Sequence, residues 1–358
     1  DLVLSLVGFQ FWRVRPMSKK EQTVGGAGLD WGKLVFGTRV DTHCYIKHVW
    51  KDGAWDEGEM VEEPYVKMHV LANVFHYGQA IFEGQKVFHC KDGKVRIFND
   101  KMNHIRMSRG AERMGMPTMS LEMFQSALTR VTLANLDFVP PYGSGASLYL
   151  RPFMVGSGPQ LGLGASSEYT FMVVVAPVGP YYGSAVPAIV VEDYDRAAPN
   201  GVGQVKCAGN YAADIVPASR AKKQGFPVCL YLDAKEHRYV EEFSTSNFVA
   251  ITKSGVYLTP DSVSVLDSVT NASLEKLAVD MGLKVERRKI DFDTEVDSFQ
   301  EVGAVGTGVV ITVIESITRG SKVYKFEQSE VLQKMYNKLR AIQTGDEADP
   351  HGWMRDIA

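Results

Sequence analysis

The segment QVKCAGNYAADIVPASRAKK, residues 204–223, contains one lysine, Lys206, that is set apart from the two lysines at its end. Those two are typical of the polar face of a helix, whereas Lys206 precedes a small glycine-containing turn and Tyr211. A lysine amine attacks carbonyl groups only when it is deprotonated, so a catalytic lysine lies in a partly desolvated site. A small residue such as Gly209 would let a flat cofactor ring approach the backbone closely. Taken alone, the segment also fits an ordinary lysine before a helix.

Two adjacent carboxylates, Glu241 and Glu242, occur in YVEEFSTSNFVAI, where a strand pattern meets small hydroxyl residues. Pyridoxal phosphate needs an anionic partner for its ring nitrogen, so that the ring can accept electrons. A solvated charged pair is the alternative interpretation. The carboxylates and Lys206 together favour a pyridoxal-phosphate site more strongly than either feature does alone.

A phosphate site is indicated by the segment VLDSVTNASLEKLA, which begins a helix whose free backbone N–H groups could hold an anion. Capping of that helix by Asp267 or Ser268 is a compatible alternative. The glycine-rich GAVGTGVV adds the hydroxyl of Thr307, and Arg106 in an apolar helical stretch could make a charge-assisted contact. Each of these features also has a purely structural explanation.

Several common catalytic motifs are absent from the sequence. It contains no GxxxxGK[ST] phosphate loop, no HExxH and no GxSxG. GVGQVK and GAVGTG resemble parts of a dinucleotide fingerprint, but neither has its complete glycine spacing. A nicotinamide oxidoreductase is therefore poorly supported.

The composition is that of an ordinary soluble globular protein, with 45% hydrophobic and 23% charged residues among 358. A formal net charge of −3 gives no reason to expect nucleic acid or a membrane surface as a partner. Four widely spaced cysteines indicate reduced thiols of an intracellular protein. Residues 1–16 are apolar, basic and nearly free of acids, which fits either a transit-peptide remnant or sequence upstream of a start at Met17. We expect a cytoplasmic or organellar location and no transmembrane helix.

Strand and helix patterns divide the chain at a Pro/Gly-rich connection, APVGPYYGSAVP. THCYIKHVWKDGAW and KVFHCKDGKVRIF predict hairpins, and NDKMNHIRMSRGAERMG and SLEMFQSALTRVTLANL predict helices. We predict a small N-terminal α+β domain over residues 17–176, a linker at 177–187 and a larger cofactor-binding domain over 188–358. Most strands are expected to be antiparallel.

The ordered motifs of the chain resemble those of the branched-chain amino acid aminotransferases, which are fold-type IV pyridoxal-phosphate enzymes. The resemblance runs from about Trp31 to Trp353 and includes LVFG, HYGQAIFEG, RMSRGAERM, GASLYLRP, DRAAPNGVGQVKCAGNYAA, YLDAKEHRYVEE, SVTNASLEKLA, GTGVV and YNKLRAIQTGDEADPHGW. It implies a two-domain fold similar to that of D-amino acid aminotransferases, with barrel-like, mostly antiparallel sheets and flanking helices. It also implies transfer of an amino group from leucine, isoleucine or valine to 2-oxoglutarate.

The resemblance assigns cofactor roles by position. Lys206 would bind the cofactor aldehyde covalently, Tyr211 would bond to its phenolic oxygen, and Glu242 would pair with its ring nitrogen. Glu241 would then be a solvent-facing neighbour. The phosphate would be held by Arg106, by the backbone of Val269 and Thr270, and by Thr307.

The resemblance also implies a substrate pocket and a homodimer. The pocket residues would be Phe36, Tyr77, Phe82, Tyr149, Arg151, Tyr181, Thr245 and Gly308. A loop containing Leu161 and Leu163 would reach the pocket of the other subunit. Phe243-Ser244 and Gly308 depart from common family patterns, so the ranking of substrates is left open.

Alternatives within the same fold are a D-amino acid aminotransferase and an aminodeoxychorismate lyase. These would share the lysine and the glutamate, but they are typically shorter and lack GASLYLRP. A non-catalytic binding protein would have no need for Lys206, Tyr211 and Glu242 together.

Overall fold

The computed structural model describes residues 22–179, 184–327 and 330–358. Residues 1–16 and the predicted substrate residue Tyr181 lie outside the described residues. The elements before residue 179 are β1 (Tyr45–Lys51), β2 (Ala54–Trp55), β3 (Glu59–Val61), α1 (Asn73–Tyr77), β4 (Ala80–Phe82), β5 (Gln85–His89), β6 (Val95–Phe98), α2 (Asp100–Arg113), α3 (Leu121–Leu133), β7 (Ser147–Gly156) and β8 (Tyr169–Val178). The elements after it are β9 (Val186–Val190), α4 (Ala208–Lys223), β10 (Val228–Leu232), β11 (Val240–Phe243), β12 (Asn247–Thr252), β13 (Val256–Pro260), α5 (Val269–Asp280), β14 (Lys284–Arg288), α6 (Phe292–Glu295), β15 (Phe299–Gly306), β16 (Val310–Arg319), β17 (Lys322–Lys325), α7 (Glu330–Thr344) and β18 (Met354–Asp356).

The first sheet is antiparallel and follows the order β18-β6-β5-β7-β8-β1-β2, with β3 beside β1 and β4 beside β7. Both predicted hairpins are confirmed, as β1–β2 and β5–β6. The two predicted helices are α2 and α3. Phe124 and Leu128 of α3 share a fully buried core with Ile46 and Phe171 of the sheet, because the apolar face of the helix must be covered.

The second sheet closes into a barrel. Its order is β11-β10-β9-β16-β15-β12-β13-β14, and β11 also pairs with β12, so that six strands form a ring. Apolar residues from all around this ring, among them Leu230, Phe243, Phe248 and Ile314, form its core. Pairs β9–β10, β9–β16 and β13–β14 are parallel and the other pairs of this sheet are antiparallel. The predicted α+β class with mostly antiparallel, barrel-like sheets is confirmed.

The last strand of the chain, β18, returns to the first sheet instead of joining the second. Although residues 188–358 were predicted to form one domain, β18 pairs with β6 in the first sheet. Arg355 reinforces this return, because its Nε lies 2.6 Å from Asp100 of α2. A strand of three residues has too little periodicity to be assigned from sequence. The predicted limits of the two domains remain a proposal.

No helix within the described ranges has the length and apolar character needed to cross a bilayer.

Candidate active site

Residues from both sheets and from the loops between their strands line a cavity of about 340 Å³. The first sheet and its loops contribute aromatic and basic side chains, while the second half of the chain contributes a lysine, hydroxyl groups and a glycine-rich turn. Cavities of this size with a few convergent polar groups are the usual form of a small-molecule site. The cavity is therefore the candidate active site.

Lys206 is directed into the cavity by the backbone on both sides of it. Its carbonyl accepts a hydrogen bond of 3.0 Å from the N–H of Phe82, and the next residue, Cys207, pairs with Ile81 in an isolated bridge. Helix α4 begins immediately afterwards, which places Tyr211 one turn along. Lys206 Nζ lies 2.7 Å from the Tyr211 hydroxyl and 4.7 Å from the centre of the Phe82 ring. Two residues predicted to contact the cofactor, Lys206 and Tyr211, therefore lie side by side in the cavity.

Glu242 lines a smaller cavity that shares Tyr211, Ser244 and Thr245 with the main one. Its side chain is buried, and it accepts hydrogen bonds of 3.1 Å from the Asn247 amide and from the backbone N–H of Leu266. Arg196 forms an ion pair with it at 2.9 Å. Burial raises the pKa of Glu242 to about 7, and Arg196 opposes that rise. Sequence reasoning missed Arg196, which is 46 residues away along the chain.

Glu241 corrects one expectation from the sequence. Alternation along β11 does turn Glu241 and Glu242 to opposite faces, but Glu241 is only 3% exposed, not solvent-facing. The reason is that β11 belongs to the closed barrel and all four of its residues are buried. Glu241 accepts a hydrogen bond of 2.8 Å from Ser262, and burial raises its pKa.

The predicted phosphate residues meet at the start of α5. Ser268 caps this helix by accepting a hydrogen bond from the Asn271 N–H, which leaves the N–H groups of Val269 and Thr270 outside the helical ladder. Arg106 donates to the carbonyl of Asp267 at 2.9 Å, so its guanidinium lies beside this helix end. Thr307, which lines the main cavity, also lines a second small cavity with Val269 and Thr270.

Arg106 is held by a carboxylate that sequence reasoning missed. Its Nε and Nη2 each donate to Glu83 at 2.7 Å, and Asn103 donates to the same carboxylate at 2.8 Å. Glu83 is fully buried, so the bidentate pair fixes the orientation of the guanidinium. The available signal was the FEG motif in which Glu83 lies.

Six of the predicted substrate residues line the cavity together. Arg151 lies over Phe82, with its guanidinium carbon 4.7 Å from the ring centre, and donates to the Tyr149 hydroxyl at 3.2 Å. Phe36 meets Tyr149 edge-on at 5.2 Å. A Cβ at Gly84 would lie 1.9 Å from that hydroxyl, so only glycine permits this approach. The six residues are Phe36, Phe82, Tyr149, Arg151, Thr245 and Gly308.

Three other predicted substrate residues lie outside the cavity of the single chain. Leu161 and Leu163 are 66% and 86% exposed, and Tyr77 is 39% exposed. The Tyr77 hydroxyl donates to the carbonyl of Leu161, which joins α1 to this loop. The structure therefore brings these three near one another, at the surface.

Comparisons with known proteins identify a family and similar sequences. The family described as amino-transferase class IV matches residues 80–317. A branched-chain-amino-acid aminotransferase of Haemophilus influenzae is 40% identical over 91% of this chain and 98% of its own length. One from Helicobacter pylori is also 40% identical, with 92% and 98% covered.

Solved structures show the same fold. A branched-chain aminotransferase from Thermoproteus uzoniensis superposes with a TM-score of 0.73 at 24% identity, covering 87% of this chain and 100% of that one. The enzyme from Escherichia coli gives a TM-score of 0.72 at 24% identity, with 87% and 99% covered. The extent of the sequence match and the shared fold establish the family: the chain belongs to the class IV aminotransferases and, among them, to the branched-chain-amino-acid aminotransferases.

Proposed function

We propose that this chain uses pyridoxal 5′-phosphate to transfer the amino group of L-leucine, L-isoleucine or L-valine reversibly to 2-oxoglutarate, in branched-chain amino acid biosynthesis or degradation. The observation that carries the proposal is the Lys206 amine, 2.7 Å from the Tyr211 hydroxyl, in a cavity that reaches the N-terminus of a helix and adjoins a smaller cavity lined by the buried carboxylate of Glu242. These groups match the aldehyde, the ring nitrogen and the phosphate of the cofactor. The named relatives support the choice of substrates.

The residues present fit this cofactor. A phosphate suits the unpaired N–H groups at the start of α5 together with Arg106, two of whose five donors remain beyond those given to Glu83 and Asp267. A flat ring suits a cavity with Tyr211 and Phe82 on its walls. When bound, the cofactor withdraws electrons from the α carbon of the substrate.

Lys206 performs two tasks in this proposal. Its Nζ is the covalent attachment point, and once released it would move the proton from the substrate α carbon to the C4′ carbon of the cofactor. Tyr211 keeps that amine in place through its hydroxyl. In the second half-reaction the same groups work in reverse on 2-oxoglutarate.

Glu242 supplies the electrostatic contribution. Burial raises the pKa of this carboxyl to about 7 even though Arg196 and the N–H of Leu266 oppose the rise, so a substantial fraction of it is protonated at neutral pH. Arg196 and the N–H of Leu266 favour the ionised form, and a protonated ring nitrogen would favour it further. We therefore propose that Glu242 holds a proton on the ring nitrogen.

The walls of the cavity suit an apolar side chain. Phe36, Phe82 and Tyr149 offer aromatic surface, on which each buried methylene of a substrate gains about 0.8 kcal/mol. Glutamate must also be accepted as the second substrate, and its side-chain carboxylate needs a polar anchor. Arg151, together with the Tyr149 hydroxyl, is the candidate that this chain supplies to the cavity. Tyr77 remains a candidate in the assembled protein.

We also propose a homodimer. The exposed side chains Val70, Phe75, Leu161 and Leu163 form the apolar surface of α1 and its neighbouring loops. Hydrogen bonds from Asn73 to the Gly164 carbonyl and from the Gln160 N–H to the Leu71 carbonyl join these loops into one surface. Exposed apolar surfaces of this kind usually mark contacts between proteins. If a second copy of the chain covers this surface, Leu161 and Leu163 of the first copy would lie close to the cavity of the second copy.

The dimer is tested by sedimentation of the protein and of Leu163→Asp. We expect the mass of two chains for the native protein and of one chain for the variant. Val323→Asp, on the exposed strand β17, is the matched control and should stay dimeric. A native protein with the mass of one chain would contradict the proposal.

The reaction is tested in the cofactor-loaded protein. We expect its visible absorption to bleach with L-leucine, the branched 2-oxo acid to appear, and 2-oxoglutarate to restore the band. Borohydride reduction and peptide mapping should place the pyridoxyl mass on Lys206. Mass on Lys222 or Lys223, or no bleaching with any branched amino acid, would refute the assignment. The relatives named chloroplastic in Arabidopsis thaliana and mitochondrial in Humulus lupulus support an intracellular location, in the cytoplasm or an organelle, as part of the proposal.

A further inference from the structure

A lysine outside the groups used above, Lys86, is buried between the two sheets. It lies on β5, directly opposite Tyr149 of β7, and only 7% of it is exposed. Paired residues of neighbouring antiparallel strands point to the same face, so Lys86 projects from the same face as Tyr149. Its Nζ donates a hydrogen bond of 2.9 Å to the carbonyl of Gly308.

The position of Lys86 is unfavourable for a charge. Burial lowers its pKa to about 7, and Arg340 of α7 adds to this effect. An amine is costly to bury, and a methionine of similar length would fill the same space without that cost. The Gly308 carbonyl is the one hydrogen-bond partner of this amine among the described residues.

The turn that accepts this bond runs from Gly306 to Val309, between β15 and β16. The carbonyl of Gly308 and the N–H of Val309 belong to one planar peptide group. Lys86 binds the carbonyl, while the N–H donates to the Gly306 carbonyl at a long 3.3 Å. The peptide group is thus held from both sides, and the stronger contact is the one from Lys86.

Backbone strain next to the turn increases the need for such a contact. Val310, buried at the start of β16, has a φ of 61°, which β-branched residues rarely adopt. Strained positions of this kind persist when the surrounding structure holds them, and they cluster at functional sites. Thr307 and Gly308, just before it, both line the main cavity.

We propose that Lys86 is a positioning residue, which fixes the turn carrying Thr307 and Gly308 and thereby sets how tightly the site binds anionic groups. The proposal rests on the proposed function, in which Thr307 contacts the phosphate and Gly308 lies beside the substrate. Without the Lys86 bond, the strained turn relaxes and these contacts are misplaced. We expect the Lys206 amine and the Glu242 carboxylate to be unaffected, because their hydrogen-bond partners lie outside this turn.

The first test uses Lys86→Met, which keeps most of the length of the side chain and removes the donor. In the cofactor-free protein, we expect the amides of residues 303–312 to exchange with deuterium about tenfold faster than in the native chain, with β12 unchanged. The dissociation constant for pyridoxal phosphate should rise about tenfold. Lys101→Met, an exposed position on α2, is the matched control and should leave both quantities unchanged.

The second test separates positioning from general stability. In the cofactor-saturated variant, KM for leucine and for 2-oxoglutarate should rise about tenfold while kcat stays within about threefold, because binding is lost and proton transfer is not. Lys86→Gln retains a donor on a side chain one bond shorter and should give intermediate values; it also serves if Lys86→Met does not fold. Unchanged exchange at the turn, or equal changes in Lys101→Met, would overturn the proposal. If the native chain does not transaminate leucine, the proposed function fails, whereas exchange in the cofactor-free protein still tests the Lys86 contact.

Discussion

The cavity has two ends that differ in how much of each a single chain supplies. At the proposed cofactor end, Lys206, Tyr211, Glu242 and Arg106 all have their hydrogen-bond partners within the chain. At the proposed substrate end, the aromatic walls are in place, but the loop with Leu161 and Leu163 lies at the surface. One end is complete and the other is open.

The difference follows from the physical requirements of the two ends. Buried charges such as Glu242 and Arg106 need fixed partners, since an unpaired buried charge is strongly destabilising, and the partners must belong to the same rigid fold. An apolar wall of a cavity needs only apolar side chains and no fixed polar partners. A second copy of the chain can supply such side chains when the exposed apolar residues of the two copies are covered in a dimer. We therefore expect changes at the cofactor end to affect chemistry and changes at the substrate end to affect selectivity.

The largest effect is expected from Lys206→Ala. The variant should bind pyridoxal phosphate at the phosphate and ring-nitrogen contacts but lower kcat by at least about 10⁴-fold, because no other group is placed to move the α proton. Steady-state turnover of leucine with 2-oxoglutarate is the measurement. Lys222→Ala, an exposed residue of α4, is the control and should match the native rate. Substantial turnover by Lys206→Ala would mean that the complete end of the cavity is not the catalytic one.

The next effect is expected from Glu242→Gln. This change removes a charge from a dry site and should lower kcat/KM by about 10²- to 10³-fold, or roughly 3–4 kcal/mol. Glu241→Gln should keep kcat/KM within about threefold, since Glu241 faces the opposite side of β11 and bonds to Ser262. It can still change the melting temperature, because Glu241 is buried. Equal losses of activity in the two variants would contradict the assignment of faces.

Contacts that are local in sequence could be predicted, and those made across the fold could not. Lys206 and Tyr211 are five residues apart, and α4 begins between them, so the local course of the chain brings them together. Glu83 meets Arg106 across 23 residues, and Arg196 meets Glu242 across 46, through tertiary contacts that no local pattern reveals. Glu83 and Arg196, which were not predicted, form ion pairs with the predicted residues Arg106 and Glu242.

Burial was also hard to predict from a strand pattern. Adjacent glutamates on a strand suggest one buried and one solvated side chain, as in a sheet with one wet face. Closure of the barrel through the β11–β12 pair covers both faces and buries Glu241 as well. Closure depends on pairing between distant strands, so it is a property of topology, not of the segment.

The substrate end should show a moderate effect, in the ranking of amino acids. With 2-oxoglutarate as the acceptor, leucine or isoleucine should exceed alanine by about 10- to 200-fold in kcat/KM, because aromatic walls reward each added methylene. Aspartate should be poor, since its carboxylate loses water in the same pocket. The measurement is kcat/KM for leucine, isoleucine, valine, alanine, phenylalanine, D-alanine and aspartate. If D-alanine or aspartate led this ranking, the branched-chain assignment would fail even if transamination were retained.

The smallest effect is expected in the pH dependence of stability of the cofactor-free protein, and it isolates Glu242. The pKa of this group rises from an ordinary 4.5 to about 7 on folding, so the folded chain holds the proton more tightly than the unfolded chain between those values. Its contribution to the free energy of unfolding therefore falls as pH increases from about 4.5 to 7 and is level above, by at most roughly 3 kcal/mol. Glu242→Gln cannot titrate and should lack this decline.

Subtracting the two pH profiles separates Glu242 from other buried groups. The pKa of Lys86 is lowered to about 7, so its contribution to stability changes above pH 7 and has the opposite sign. His48, whose pKa burial also lowers, is common to both proteins and cancels. Urea unfolding of the native chain and of Glu242→Gln at pH 5, 6, 7 and 8 gives the difference directly. We expect the stability of the variant relative to the native chain to increase from pH 5 to pH 7 and then to level off. A difference that stayed flat across this range would mean that Glu242 is not desolvated before the cofactor binds, and that the cofactor end of the cavity is completed by its ligand.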